Sequence, residues 1–329
     1  MKVDTMLSKK TKCDICPREC ELDENQTGFC KVRQNVGGQL VSTVYGYTTG
    51  LAIDPVEKKP LYHFYPKSSV LSFGTFGCNM GCVFCQNHHM SKHGQDFSLS
   101  KKAMPENIVA TALYYKCKSV AFTYNDPVVF LEYAKDTAEL CRESGIKTVA
   151  VSAGYMNRPQ DFYPLIDAAN IDLKGFSEDF YKRNCLAELA PVLETIKYAA
   201  KETDCVLELT TLLIEEENDD YDVLKKEFEW ILENTGDKTP LHLSAFHPDY
   251  KMLQKTRTSS ETLFRAWKLA KNVGLKNVYT GNIVDVESSS TICPKCGEIL
   301  IKRRGYEIFD EKIIDGCCSN CGEKIYGKF

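Results

Sequence analysis

The chain has 329 residues and a formal net charge of −4, with 43% hydrophobic and 26% charged residues. That mixture excludes wholesale disorder and leaves room for two or three domains around a large core. The slightly acidic balance argues against a chain built to coat nucleic acid. The first residues, MKVDTMLSKKTK, hold no apolar signal-peptide core, and no apolar run approaches the ~18 residues of a membrane helix. A cytoplasmic protein with no membrane partner is therefore expected. In that compartment grouped cysteines bind metal more often than they pair, and this chain has sixteen.

The first section is a cysteine-rich head, residues 1–68. Cys13, Cys16, Cys20 and Cys30 are close enough in sequence to build one metal site. Their spacing leaves zinc and an auxiliary iron–sulfur cluster both open. Val41–Tyr47 alternates like a hairpin strand and is expected to pack the head against the section that follows.

The middle section, residues 69–287, alternates strand and helix patterns. Val70–Phe76 reads as a strand, followed by a loop with Cys78, Cys82 and Cys85 in C-x3-C-x2-C spacing. Pro105–Cys117 reads as a helix, Val120–Tyr124 as a strand, and Val128–Ser144 as a helix stopped by Gly145. Asp126 with Pro127 makes a good helix start. Thr148–Ser152 is strand-like, Pro159–Ala169 helical, and Ile171–Leu173 a short strand. Pro191–Ala200 reads as a helix with proline in its first turn, and Val206–Leu213 as a strand. Asp220–Asn234 is an amphipathic helix ending at Gly236, and Leu241–Phe246 a strand. Thr258 and Glu261 have capping-box spacing ahead of another helix, and Asn277–Thr280 resembles a last strand. Short buried strands alternating with helices predict a parallel α/β sheet, as a partial (β/α)6-type TIM barrel. In such folds chemistry gathers at the C-terminal ends of the strands. Cys117, Cys141, Cys185 and Cys205 stand alone and read as buried small hydrophobes.

The tail, residues 288–329, carries Cys293-Pro-Lys-Cys296 and Cys318-Ser-Asn-Cys321. Two C-x2-C knuckles about twenty residues apart predict a zinc-ribbon-like segment with a closed four-thiolate site and Cys317 as the spare. The seven Lys/Arg and six Asp/Glu of residues 293–329 leave no basic footprint for nucleic acid.

Three thiolates on a glycine-containing loop can ligate three irons of a [4Fe–4S] cluster and leave the fourth open to a small molecule. The loop, with aromatic Phe84 directly before its last cysteine, resembles the radical S-adenosylmethionine (SAM) signature. The resemblance implies that SAM binds the open iron and is cleaved reductively to a 5′-deoxyadenosyl radical, which abstracts a hydrogen atom. It implies that Asn125 or Asp126 accepts from the methionyl ammonium and Ser152 reaches a ribose hydroxyl. Lys174 would neutralise the carboxylate, with Asp172 orienting it and His247 at the C-terminal end of the sixth strand. It also implies an electron donor such as ferredoxin or flavodoxin.

Further segments sharpen the resemblance. Asp54-Pro-Val-Glu-Lys-Lys-Pro-Leu-Tyr-His-Phe64, Thr123-Tyr-Asn-Asp-Pro127, Asn170-Ile-Asp-Leu-Lys-Gly175 and Phe246-His-Pro-Asp-Tyr-Lys251 resemble the radical SAM enzyme of the AmmeMemoRadiSam system. That family is similar to pyruvate formate-lyase activating enzymes. It implies association with Memo-like and AMMECR-like proteins. The chain departs from the family pattern at Asp126 (Glu expected), Ala153 (Asn) and Ala245 (Arg). It departs again at His88–His89, where an aromatic and an acidic or amide residue are expected. Two other functions stay open: an activase of a glycyl radical enzyme, and a zinc-binding interaction protein that has lost catalysis. No ferredoxin-like insert follows the cysteine loop, since the next cysteine is Cys117.

Overall fold

A computed structural model describes residues 10–329. Its centre is an eight-stranded sheet: β1 (Leu51–Pro55), β2 (Ser69–Phe73), β3 (Ser119–Phe122), β4 (Lys147–Ser152), β5 (Ala168–Asp172), β6 (Val206–Leu213), β7 (Leu241–Ala245) and β8 (Val278–Gly281). The strands lie side by side in chain order. β2 to β8 run parallel, and β1 pairs antiparallel with β2. The parallel strands are buried on both faces, as their near-continuous apolar sequences demand.

Helices α1 (Pro105–Tyr114), α2 (Leu131–Glu143), α3 (Leu189–Lys201), α4 (Tyr221–Thr235) and α5 (Ser260–Val273) cover the outer face. α4 begins where its side-chain chemistry dictates: Asp220 accepts from the N–H groups of Asp222 and Val223, capping orphan donors of the first turn.

Several expectations are corrected. Pro159–Ala169 is not a helix. It forms two 3-10 turns, Pro159–Asp161 and Tyr163–Leu165, and its last residues join β5. Pro164 removes a donor inside the segment, and Asp167 turns its carboxylate onto Thr148 N–H at 3.0 Å and Lys147 Nζ at 3.0 Å, fixing the chain in a non-helical path. α5 is capped by Ser259, which accepts from Thr262 N–H, and not by Thr258. Thr258 instead donates to Leu213 O at 2.5 Å, joining β6. Val41–Tyr47 is divided: Gln39–Ser42 pairs with Arg33–Val36, and Tyr47–Thr48 pairs with Lys101–Lys102. The sheet also takes in β1, which lies within residues 1–68, so head and middle share one hydrogen-bonded sheet.

The barrel interior is filled at its lower end by residues of the β1–β2 connection. Val56, Leu61 and Phe64 pack against Val70, Ala121, Val149, Ala168 and Val206. The end of the chain closes over them. Tyr326 Oη donates to Leu207 O at 3.0 Å, and Tyr65 N–H donates to Lys328 O at 2.7 Å. Among the described residues no helix is long and apolar enough to cross a membrane.

Candidate cluster and cofactor site at the barrel mouth

The cysteine loop leaves the C-terminal end of β2 and is clamped from three sides. Asn125, just past β3, accepts from Thr75 N–H at 3.0 Å and donates to Thr75 Oγ1 at 2.9 Å and Gly77 O at 2.8 Å. Its amide is therefore committed to shaping the loop. On the far side, Gly81 N–H donates to Cys185 O and Val83 N–H to Asn184 O, at 2.8 and 2.9 Å. Those carbonyls belong to a π-turn, Tyr181–Cys185. Below, Lys92 Nζ donates to Met80 O at 2.9 Å. Two glycines make this path possible. A Cβ on Gly77, whose φ is +82°, would meet Cys30 O at 2.3 Å, and one on Gly81 would meet Leu186 side-chain carbon at 2.6 Å.

The three loop sulfurs sit in a shared polar setting. Met80 N–H donates to Cys78 Sγ at 3.4 Å, and Cys85 Sγ lies 3.1 Å from Ser91 Oγ. Cys185 is buried beside the loop, and its carbonyl is the one that accepts from Gly81 N–H. Cys185 is thus more than a core filler, although nothing in its local sequence marks it. Among the described residues, only the tail cysteines form a group of sulfurs all within 4.8 Å of one another. The loop sulfurs do not draw together in that way. Three thiolates on one loop can ligate three different irons of a cluster. Phe84 is buried and faces Phe180 at a ring separation of 6.2 Å.

The strand ends opposite the loop gather most of the expected cofactor residues. Asp126 accepts from Val128 N–H at 3.0 Å, Ala153 N–H at 2.8 Å and Ser152 Oγ at 3.1 Å. Burial pushes its carboxyl up, and these donors pull the other way. At position 153 the main-chain N–H serves this contact, so the alanine side chain costs the arrangement nothing there. Lys174 Nζ lies 2.6 Å from Asp172. Burial works against the lysine charge, but the Asp172 carboxylate and the Cys82 sulfur outweigh it and hold the ammonium above its usual range. Asp126 influences Cys78, and Lys174 influences Cys82, so loop and strand ends form one electrostatic unit. Lys174 gives one of its three N–H bonds to Asp172 and, with Lys92, is a cation of the site.

His247 is exposed, and its contact in the structure is with Pro248 O at 3.4 Å. Its neighbours approach the loop instead. Asp249 pairs with His88 Nδ1 at 3.2 Å, Tyr250 stacks on the His88 ring, and Lys251 N–H donates to Val83 O at 3.0 Å. Asn79, Lys92 and Cys185 are site residues that local pattern does not single out.

The tail site is as expected. Cys293, Cys296, Cys318 and Cys321 converge, with Cys293–Cys321 at 3.6 Å and Cys296–Cys318 at 3.7 Å, while Cys317 stands outside the group in a short strand. Two sulfurs on one zinc, each about 2.3 Å away, are at most about 4.6 Å apart, so this set fits a single ion.

Residues 73–228 match the family model described as the radical SAM superfamily. An uncharacterized protein of Methanocaldococcus jannaschii is 43% identical over 322 residues, covering 96% of this chain and 95% of its own length. The fold resembles a radical SAM methyltransferase from Sphaerobacter thermophilus, with TM-score 0.51, 15% identity, and 72% of this chain and 71% of that one covered. It also resembles Streptococcus suis SuiB bound to S-adenosylmethionine, with TM-score 0.52, 13% identity, and 69% and 53% covered. With its cysteine loop on the first parallel strand of a partial barrel, the chain belongs to the radical SAM superfamily and is an enzyme of that class.

Proposed function

We propose that the protein cleaves S-adenosylmethionine reductively and uses the resulting radical to abstract a hydrogen atom from a small molecule or a partner-presented substrate. The observation that carries this reading is the cysteine loop facing Lys174, Asp172, Asp126 and Ser152 across one barrel mouth. Cys78, Cys82 and Cys85 would hold a [4Fe–4S] cluster, which supplies the electron and the open coordination site when bound. The chain's own residues do the rest. Lys174 would offer a partly buried ammonium to a carboxylate. Ser152, at the end of β4, would reach a ribose hydroxyl. Asn125, Lys92 and the π-turn keep the loop in register with those groups.

The motifs from Asp54 to Lys251 further support an enzyme of the AmmeMemoRadiSam type, working with Memo-like and AMMECR-like proteins and a ferredoxin or flavodoxin as donor. The activase reading is the weaker one. Between the loop and α1 the chain forms only the turn His88–Ser91 and the two-residue strand Lys101–Lys102, with no inserted cysteine domain.

The test is anaerobic reconstitution followed by dithionite and S-adenosylmethionine, with 5′-deoxyadenosine read by mass spectrometry. The wild-type chain should release it, and Cys82→Ala should reduce it to background. Equal release from both proteins would overturn the assignment.

A further inference from the structure

The geometry points to a binding cavity for a small hydroxylated anion at the open seam of the barrel. As the seat of the substrate it rests on the activity proposed above; as a ligand site it does not. β1 and β8 are the two edges of the sheet and do not pair. Between them lies a cavity of about 840 Å³, a size that suits a small molecule. One wall is His242 and Ser244 of β7 with Gly281 of β8, and the other is Pro60 and Tyr62 from the β1–β2 connection. The tail adds Gly305 and Tyr306, the turn between its strands Ile299–Arg304 and Glu307–Glu311.

Three side chains bring unpaired polar atoms to this space. Tyr62 is 5% exposed and held on all sides: its N–H donates to Glu208, its C=O accepts from Arg303, and its ring stands perpendicular to that of His242 at 4.7 Å. Its hydroxyl has no hydrogen-bond partner among the described residues. His242 is 2% exposed and donates from Nε2 to Glu208 at 2.6 Å, so its other nitrogen, Nδ1, is an acceptor without a partner. Ser244 Oγ is likewise unpaired, and Gly281 leaves room for it: a Cβ there would meet that oxygen at 2.6 Å. Enclosed polar atoms are costly to leave unpaired, and three around one roomy cavity match a ligand that carries hydroxyl groups.

The charge sits at the rim. Arg257 is an exposed lining residue and donates to Asn282 O, which leaves most of its five N–H groups for a ligand. The acidic member of the lining, Glu57, is 1% exposed, and its Oε1 accepts from Lys67 N–H at 2.9 Å. Among the described residues Arg257 is therefore the accessible charge of the cavity, and its fork suits an oxyanion, a carboxylate or a phosphate ester.

The cavity is level with the mouth. Asp172, Thr210, His242 and Tyr279 pair rung by rung across β5 to β8, so their side chains share one face of the sheet. His242 thus stands two strands, about 10 Å, from Asp172. Between them Thr210 Oγ1 is buried without a partner. A molecule seated at the seam adjoins the groups that face the cysteine loop.

The test is equilibrium dialysis of the anaerobically reconstituted full chain, without S-adenosylmethionine, against a low-molecular-mass extract of the native cells. Retained compounds are read by mass spectrometry. Wild type should retain a hydroxylated phosphate ester or carboxylate, and phosphatase treatment of the extract beforehand removes the first and leaves the second. Tyr62→Phe/Ser244→Ala keeps the tyrosine ring and should weaken retention about tenfold. Arg257→Met should weaken it about ten- to a hundredfold. Equal urea midpoints for the three proteins assign the loss to the cavity. Equal retention by all three, retention only of compounds without an oxyanion, or nothing retained above a protein-free control would overturn the inference. Release of 5′-deoxyadenosine by a chain that retains nothing sinks this inference alone. Retention by a chain that releases none sinks the proposed activity and keeps the cavity.

Discussion

The two ends of the barrel are built from the same kinds of side chain for opposite purposes. At the mouth, Asp126, Asp172 and Lys174 lie beside thiols, and the lysine ammonium keeps donors beyond its carboxylate partner. At the lower end, Glu208 is completely enclosed and saturated: it accepts from Tyr62 N–H at 3.0 Å, His63 N–H at 2.7 Å and His242 Nε2 at 2.6 Å. Burial works to raise the Glu208 carboxyl, and His242 with the other donors reverses it, holding the group below its usual range. His63 in turn contacts Tyr279 Oη and Tyr326 O, both at 2.6 Å, and burial pushes its imidazole down to about 4. Arg303, from the tail, donates to Tyr62 O at 2.7 Å and Thr291 Oγ1 at 2.6 Å. A saturated group such as Glu208 stabilises one arrangement, whereas an ammonium with donors to spare can take a ligand.

The sharpest way to break this contrast is at Glu208. Glu208→Ala leaves three buried donors without an acceptor, which costs roughly 3–5 kcal/mol. The urea midpoint should fall strongly, while the surviving folded protein still forms 5′-deoxyadenosine at the wild-type rate. A variant of normal stability and no activity would place Glu208 in the chemistry and erase the distinction between the two ends.

At the mouth the cysteine loop and the helix start after β3 were legible in the sequence, and the reasons are local. C-x3-C-x2-C on a loop after an apolar run announces itself, and Asp126-Pro127 starts a helical turn in two residues. Val206–Leu213 is a strand over its full predicted length because it is long and rich in leucine, valine and β-branched threonine. The lower end was not legible, because its contacts span the chain: Tyr62 to Arg303, His63 to Tyr326, Glu208 to Tyr62. β1 escaped for another reason. Leu-Ala-Ile-Asp-Pro is short, half exposed and ends in proline, which an edge strand tolerates and a central one does not. Residues 159–169 misled because Ala168 and Ala169 favour helices in isolation, yet small side chains also suit β5, buried between its neighbours. Cys185 and Asn79 hold the loop through contacts that only the folded chain creates.

At the mouth the expected pattern is reversed. Lys174→Met removes the cation opposite Cys82 and leaves Asp172, about a third exposed, to solvent. A charge-assisted hydrogen bond contributes roughly 1.5–3 kcal/mol, so S-adenosylmethionine affinity should drop by about ten- to a hundredfold. Equilibrium binding to the reconstituted protein measures the loss, and the urea midpoint should scarcely move. Unchanged affinity would remove Lys174 from the cofactor site.

A third region, outside the sheet, tests whether burial alone explains the lower-end behaviour. Glu227 on α4 is fully enclosed, and among the described residues its one side-chain hydrogen bond is with the Thr211 hydroxyl on β6 at 2.5 Å. With no cation to offset burial, its carboxyl is raised to about 8 from 4.5, against the opposing pull of Thr211. Glu208 goes the other way under equal burial, so the partner decides the direction. The consequence for stability has a definite sign. Between pH 4.5 and about 8 the folded chain holds a proton at Glu227 that the unfolded chain has released. Stability therefore declines as pH rises through that window, by about 1.4 kcal/mol per pH unit from this group. Glu227→Gln carries no titrating proton, so its stability curve should be flatter than wild type over the same window and cross above it toward pH 8. Parallel curves for the two proteins would mean that the carboxylate is solvated or paired in solution, and that enclosure at this position is weaker than at Glu208.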